Sequence, residues 1–265
     1  IHPWRLIQPD FGGTIQRQRH DTEAGMDLKG QVAVVTGAGT GIGRAVSLRL
    51  ADHGVKVVVC GRRAAPIRQT VRRLEERGGM GLAVRADVSR TSDVRRVIEA
   101  AIQAYRRVDI LINNAGISGG GPIHRHRVDE WDRLLAVNLR GPFLMARAVL
   151  PGMRRRRRGQ IIHISSESGL EHYESDGAYG VSKHALNALG EYIQRENQAL
   201  GIRVATICPG MVWTEMSRGA RGLVRDLCLT DEDIADLVLW LLTRHPNLKI
   251  GRPVLIQTME NPWKG

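Results

Sequence analysis

Two residues four positions apart, Tyr179 and Lys183 in "AYGVSK", are the pair in this sequence most suited to proton chemistry. On a helix, positions i and i+4 share a face and their side chains can touch. An ammonium beside a phenol favours the phenolate and lowers a pKa that is normally about 10. Bringing that pKa to about 7 takes roughly 4 kcal/mol, which one ammonium at about 4 Å supplies only in a largely dry pocket. The expectation is therefore a tyrosine that gives or takes a proton near neutral pH. Lysine is scarce here, confined to Lys29, Lys56, Lys183, Lys249 and Lys264. On the hexapeptide alone, an exposed pair without function is the competing reading.

A second stretch with chemical capacity follows the strand-like "QVAVVT". It is "TGAGTGIGRA", in which Thr36, Gly37, Gly41 and Gly43 lead into a helical pattern. Glycines at such a turn let backbone N–H groups and a helix N-terminus approach a pyrophosphate. The spacing is G-x-x-x-G-x-G rather than G-x-G-x-x-G. Its strand–turn–helix context favours a dinucleotide site over a merely tight turn.

These residues need a scaffold, and the hydrophobic pattern predicts one. Apolar β-rich runs at 31–36, 55–60, 81–86, 109–113, 160–165, 202–207 and 252–257 read as strands. Most are continuous, as expected for a parallel sheet covered on both faces. Helical patterns lie between them at 42–53, 64–77, 91–106, 129–153, 179–200 and 231–243. This alternation predicts one doubly wound, Rossmann-type α/β domain over 26–265, with seven parallel strands and helices on both faces. Residues 1–25 carry no periodicity and read as a loose extension, with Met26 as an alternative start.

The ordered set of motifs resembles the short-chain dehydrogenase/reductase family, whose fingerprint is TGxxxGxG. The resemblance extends through "ADVS" with Asp87 and Val88, "NNAG" with Asn114, Ala115 and Gly116, and Asn138 in "VNLRGPF". It continues with Ser166 in "ISSESG", thirteen residues before Tyr179, then "YGVSK", then "PGMVWT" with Pro209, Gly210, Val212 and Thr214. It covers about residues 28–258. The resemblance implies a carbonyl–alcohol oxidoreductase with Asn138, Ser166, Tyr179 and Lys183 as catalytic residues. Tyr179 would be the acid or base, Ser166 would bond the substrate oxygen, and Lys183 would hold the nicotinamide ribose. Asn138 would anchor a water relaying protons to Lys183. Gly37, Thr40, Gly41, Ile42 and Gly43 would hold the cofactor's phosphates. Asp87 and Val88 would lie at the adenine, Asn114–Gly116 along the cofactor, and Pro209, Gly210, Val212 and Thr214 at the nicotinamide.

Cofactor choice turns on the end of the second strand, "CGRR". NAD-binding relatives usually carry an acidic residue there for the ribose 2′-hydroxyl. This chain has Gly61, followed by Arg62 and Arg63. Arginine can hold the 2′-phosphate of NADP bidentately, so Arg62 points to NADP(H) over NAD(H). Thr40 stands where many NADP-binding relatives have a second basic residue, which weighs the other way. Substrate residues would come from the polar stretch 167–178 and from a short lid after Thr214 containing Arg218, Arg221 and Arg225. A small-molecule carbonyl or alcohol is the expected substrate class.

Composition narrows the alternatives. The net charge is +12, but five lysines among 39 basic residues leave 34 arginines, spread over the whole chain. The run Arg154–Arg158 has no interleaved aromatics for base stacking and falls where a helix should end, complementing its dipole. Nucleic acid is therefore not expected as a partner. No apolar stretch is long enough to span a membrane. Three separated cysteines, Cys60, Cys208 and Cys228, fit neither a disulfide framework nor a metal site, so a cytoplasmic location and no catalytic metal are expected. By resemblance, the helices near 129–153 and 179–200 should pack against copies of themselves in a dimer or tetramer. The rival readings are an NAD-dependent dehydrogenase of the same family and a non-catalytic dinucleotide sensor on the same fold.

Overall fold

All seven segments expected as strands form in the computed structural model, which describes residues 26–263. They are β1 (Val32–Thr36), β2 (Lys56–Gly61), β3 (Met80–Arg85), β4 (Ile110–Asn113), β5 (Gly159–Ile164), β6 (Ile202–Pro209) and β7 (Val254–Ile256). The expected extension at 1–25 lies outside the described residues. Every pairing is parallel, in the order β3–β2–β1–β4–β5–β6–β7. The order reverses between β1 and β4, and such a switch point opens a crevice at the strands' carboxyl ends.

The alternation of side chains across the strands explains the two-sided core. Ala33, Val35, Val57, Val59, Ile110 and Ile112 face one layer, packed with residues of α1 (Gly41–Asp52), α2 (Ala64–Glu76) and α7 (Asp231–Thr243). Val34, Val58, Cys60 and Leu111 face the opposite layer, with α3 (Thr91–Tyr105), α5 (Gly141–Arg156) and Ile193 of α6 (Gly177–Asn197). Each fully buried aliphatic side chain contributes about 1.5–3 kcal/mol, so this doubled face fixes the register of the central strands.

The helix expected at 129–153 forms without a break in helical backbone but is not α-helical throughout. It is α4 (Val128–Leu135), one π-helical turn at Ala136–Arg140, and then α5. The π turn carries Asn138, whose bonds are described below. The arginine run lies where expected, at the end of α5. Arg154 donates to Asn197 Oδ1 at 2.7 Å, Arg156 to the Val108 carbonyl at 2.6 Å, and Arg157 to the Ala199 carbonyl at 3.0 Å. These arginines tie α5 to the sheet and to the end of α6. No helix among the described residues is long and apolar enough to cross a membrane.

Candidate active site

The crevice at the switch point is a cleft of about 980 Å³. Gly37, Thr40, Gly41 and Ile42 line it from the turn after β1, and Arg62 from the end of β2. Asp87 and Val88 follow β3, Asn114, Ala115 and Gly116 follow β4, Tyr179 and Lys183 come from α6, and Thr214 follows β6. Residues far apart in sequence meet here because parallel strands deliver all their carboxyl ends to one edge.

Its floor is built by hydrogen bonds between the β1 and β4 turns. The Thr36 hydroxyl donates to the Ile112 carbonyl at 3.3 Å and accepts from the Asn114 and Ala115 N–H groups at 3.0 and 2.9 Å. Asn114 Nδ2 donates to the Thr36 carbonyl at 2.9 Å. Gly43 lies beneath this floor rather than on its surface; a Cβ there would come within 2.4 Å of Asn114 Nδ2. Glycine at 43 is thus required for the two turns to close together.

Tyr179 and Lys183 stand one turn apart on α6, with Lys183 Nζ 5.5 Å from the Tyr179 ring centroid. Lys183 is 4% exposed, and its Nζ donates to the Ile164 carbonyl at 3.1 Å. The expected depression of the Tyr179 pKa is not what these groups produce. Burial pushes the Tyr179 phenol up to about 12, and a hydrogen bond with Ser166 offsets this only in part. Burial also pulls Lys183 down to about 8. Loss of hydration outweighs the attraction of a cation held against a backbone carbonyl instead of the phenol.

Ser166 sits at the end of β5 in extended backbone and caps the short turn Glu167–Gly169, accepting from Ser168 N at 3.2 Å. Asn138 is 1% exposed. Its Oδ1 accepts from Ile117 N at 2.9 Å, and its Nδ2 donates to the Ile117 carbonyl at 2.9 Å and Ser182 Oγ at 3.0 Å. Both amide donors are therefore committed, leaving one acceptor position on Oδ1. Asn138 fastens the loop after β4 to α6, and the π turn aims it inward.

Pro209, Gly210 and Val212 are not among the residues that line the cleft. Gly210 N donates to the Ile256 carbonyl at 2.8 Å, which joins the end of β6 to β7. Arg218, Arg221 and Arg225 are exposed on the lid and do not line the cleft. The lid contributes Glu215 and Met216 instead. Glu215 belongs to none of the sequence motifs, and its place directly after Thr214 is the one signal that points to it. Among the described residues no group of three His, Cys, Asp or Glu side chains could hold a metal ion.

A dinucleotide fits these residues. The glycine-lined turn opens onto the N-terminus of α1, which has no acidic residue in its first turn. Among the described residues Lys183 Nζ makes one hydrogen bond and retains donor capacity at the cleft wall. A cleft of this size and mixed polarity suits a ligand of that class.

A doubly wound parallel sheet with a glycine-lined crevice at its switch point defines a nucleotide-binding α/β fold. Within that class, the short chain dehydrogenase family model matches residues 31–222, and the chain belongs to the short-chain dehydrogenase/reductase family of oxidoreductases. It is 30% identical over 249 residues to an uncharacterized oxidoreductase of Listeria monocytogenes, covering 90% of this chain and 100% of the relative. An uncharacterized oxidoreductase of Staphylococcus aureus is 35% identical over 231 residues, 86% of this chain and 99% of that one. Among solved structures, a metagenomic short-chain oxidoreductase in complex with NADP aligns with TM-score 0.77 at 34% identity, over 89% of this chain and 100% of that one. A short-chain type dehydrogenase/reductase from Mycobacterium marinum aligns with TM-score 0.81 at 28% identity, over 87% and 95%.

Proposed function

We propose that this enzyme interconverts a small-molecule carbonyl and a secondary alcohol, using NADP(H) in preference to NAD(H), with Tyr179 as the general acid or base. One observation carries the reading: the glycine-rich turn and the Tyr179–Lys183 pair line the same cleft. The nicotinamide, when bound, supplies or accepts the hydride. Gly37, Thr40, Gly41 and Ile42 would hold the pyrophosphate, with Gly43 supporting them from below. Asp87 and Val88 would hold the adenine, and Asn114–Gly116 the centre of the cofactor. Thr214, in one segment with Pro209, Gly210 and Val212, would flank the nicotinamide.

The chain's own groups then handle the proton. Tyr179, held as a neutral phenol by burial, gives its proton to the substrate oxygen as charge develops there. Ser166 donates a hydrogen bond to the same oxygen, where stabilisation counts most. Lys183 bonds the ribose and returns a proton towards Tyr179. Asn138 keeps one acceptor free for a water on that route. Burial keeps Tyr179 protonated, the form that carbonyl reduction uses, and developing negative charge on the substrate oxygen draws the proton across. The NADP preference is supported by Gly61 in place of a carboxylate, by Arg62 and Arg63 at the cleft, and by the NADP carried by the metagenomic relative.

A panel of aldehydes, ketones and secondary alcohols, assayed by nicotinamide absorbance with each cofactor, tests the reading. Turnover of at least one carbonyl with NADPH is expected. Binding of dinucleotide without turnover of any member would favour the sensor reading.

A further inference from the structure

Arg63 and Glu215 meet at the mouth of the cleft although 152 residues separate them. Arg63 Nη2 donates to Glu215 Oε2 at 2.8 Å. Arg63 is the residue before α2, at the end of β2, and Glu215 is the first residue of the lid after Thr214. Arg63 foremost, with smaller effects from Arg44 and the Thr40 side chain, holds the Glu215 carboxyl below the usual carboxylate range. Thr40, at the N-cap of α1, makes no side-chain capping bond to its own helix.

The turn that presents Glu215 is held in place. Thr214 N donates to Ser217 Oγ at 2.9 Å, Ser217 Oγ donates to the Val212 carbonyl at 2.7 Å, and Trp213 N donates to the Leu229 carbonyl at 2.9 Å. The Thr214 methyl lies 3.2 Å from where a Cβ on Gly41 would stand, so the lid begins against the phosphate turn. A guanidinium that bonds a carboxylate offers the same donors that a phosphate monoester takes.

We propose that Glu215 tempers the preference for NADP(H) as an intrachain competitor: the 2′-phosphate of NADP(H) must displace it from Arg63. The inference rests on the dinucleotide reading above. A cofactor without that phosphate leaves the pair intact, so Glu215 lowers the advantage of NADP(H) over NAD(H). The two side chains are 65% and 53% exposed, which makes the pair weak enough to be displaced and its effect correspondingly modest.

The test uses adenosine 2′,5′-bisphosphate and 5′-AMP as probes, since they differ only in the 2′-phosphate. Calorimetry would measure both on the intact chain, on Glu215→Gln, on Arg63→Ala, and on the double variant. Glu215→Gln should tighten the bisphosphate about two- to fivefold, the range that exposed ion pairs allow. It should leave 5′-AMP within about 1.5-fold, and the gain should vanish once Arg63 is also replaced. Equal effects on both probes, no effect, or a gain that survives Arg63→Ala would each overturn the competition. If the unaltered chain binds the probes and Glu215→Gln changes nothing, the dinucleotide reading stands and only this inference falls. If the unaltered chain binds neither probe nor NADPH, both fall.

Discussion

Lys183 and Tyr179 share one face of α6, 5.5 Å from ammonium to ring centroid, yet burial moves them in opposite directions. The phenol goes up to about 12 and the ammonium down to about 8. Both shifts have one physical origin, because low-dielectric surroundings disfavour the charged form of each group. A neutral phenol beside an ammonium that gives up its proton readily suits the acid role proposed for Tyr179.

Tyr179→Phe keeps the ring and removes the transferable proton. Turnover should fall by about 10² to 10⁴, the usual contribution of a positioned acid, while NADPH affinity stays within about twofold. Affinity is read by cofactor fluorescence and turnover by nicotinamide absorbance. A variant that kept more than about a tenth of the rate would remove Tyr179 from the acid role.

Lys183→Met should abolish activity and raise stability at pH 7. Burial lowers the Lys183 pKa from 10.5 to about 8, so the folded state holds a disfavoured charge at neutral pH, at a cost of about 3 kcal/mol. Below pH 8 both folded and unfolded lysines are protonated and the penalty is full. Between about 8 and 10.5 the unfolded chain binds the proton and the folded one does not, so wild-type stability from this group rises with pH. The gap between variant and wild type in urea unfolding should narrow across that window. A gap constant from pH 7 to 10.5 would contradict the assignment.

His163 acts at the acid end. It is fully buried on β5, its Nδ1 lies 3.3 Å from Asn113 Nδ2, and its Nε2 has no hydrogen-bond partner among the described residues. Burial, reinforced by Lys183, lowers its pKa from 6.5 to about 4. The unfolded chain therefore takes up the proton first, and about 3 kcal/mol of stability is lost as pH falls from 6.5 to 4. His163→Asn keeps an acceptor for Asn113 and should flatten that loss, whatever it does to stability at pH 7. Unfolding curves at pH 7, 5.5 and 4 would read the slope.

Arg62→Ala should weaken NADPH about ten- to a hundredfold, because a charge-assisted bond to phosphate contributes about 1.5–3 kcal/mol. NADH should change little. Gly61→Asp should go further by repelling the phosphate and accepting the ribose hydroxyl. Equal effects of Arg62→Ala on both cofactors would make Arg62 a surface arginine and return the assignment to NAD.

Exposed apolar side chains on α5 and α6, among them Phe143, Val181 and Tyr192, fit the expected self-association of these helices. Light scattering should return a dimer or tetramer mass, and Phe143→Glu should lower it. A stable species of about 29 kDa at micromolar concentration would contradict this.

The strand–helix alternation, the glycine turn after β1, and the tyrosine–lysine pair on one helical face are all legible in the amino-acid sequence. These are local properties, set by periodicity and backbone chemistry within a few residues. The arginine run at a helix end is legible too, but not the carbonyls and the amide oxygen to which those arginines donate. That Asn138 sits on a π turn with both amide donors committed, and that Glu215 reaches Arg63, emerges only from the folded arrangement. That arrangement also reverses the expected direction of the Tyr179 pKa. The reason is common to all three. Hydration and distant hydrogen-bond partners depend on which segments the sheet brings to one edge, and no window of sequence contains that information.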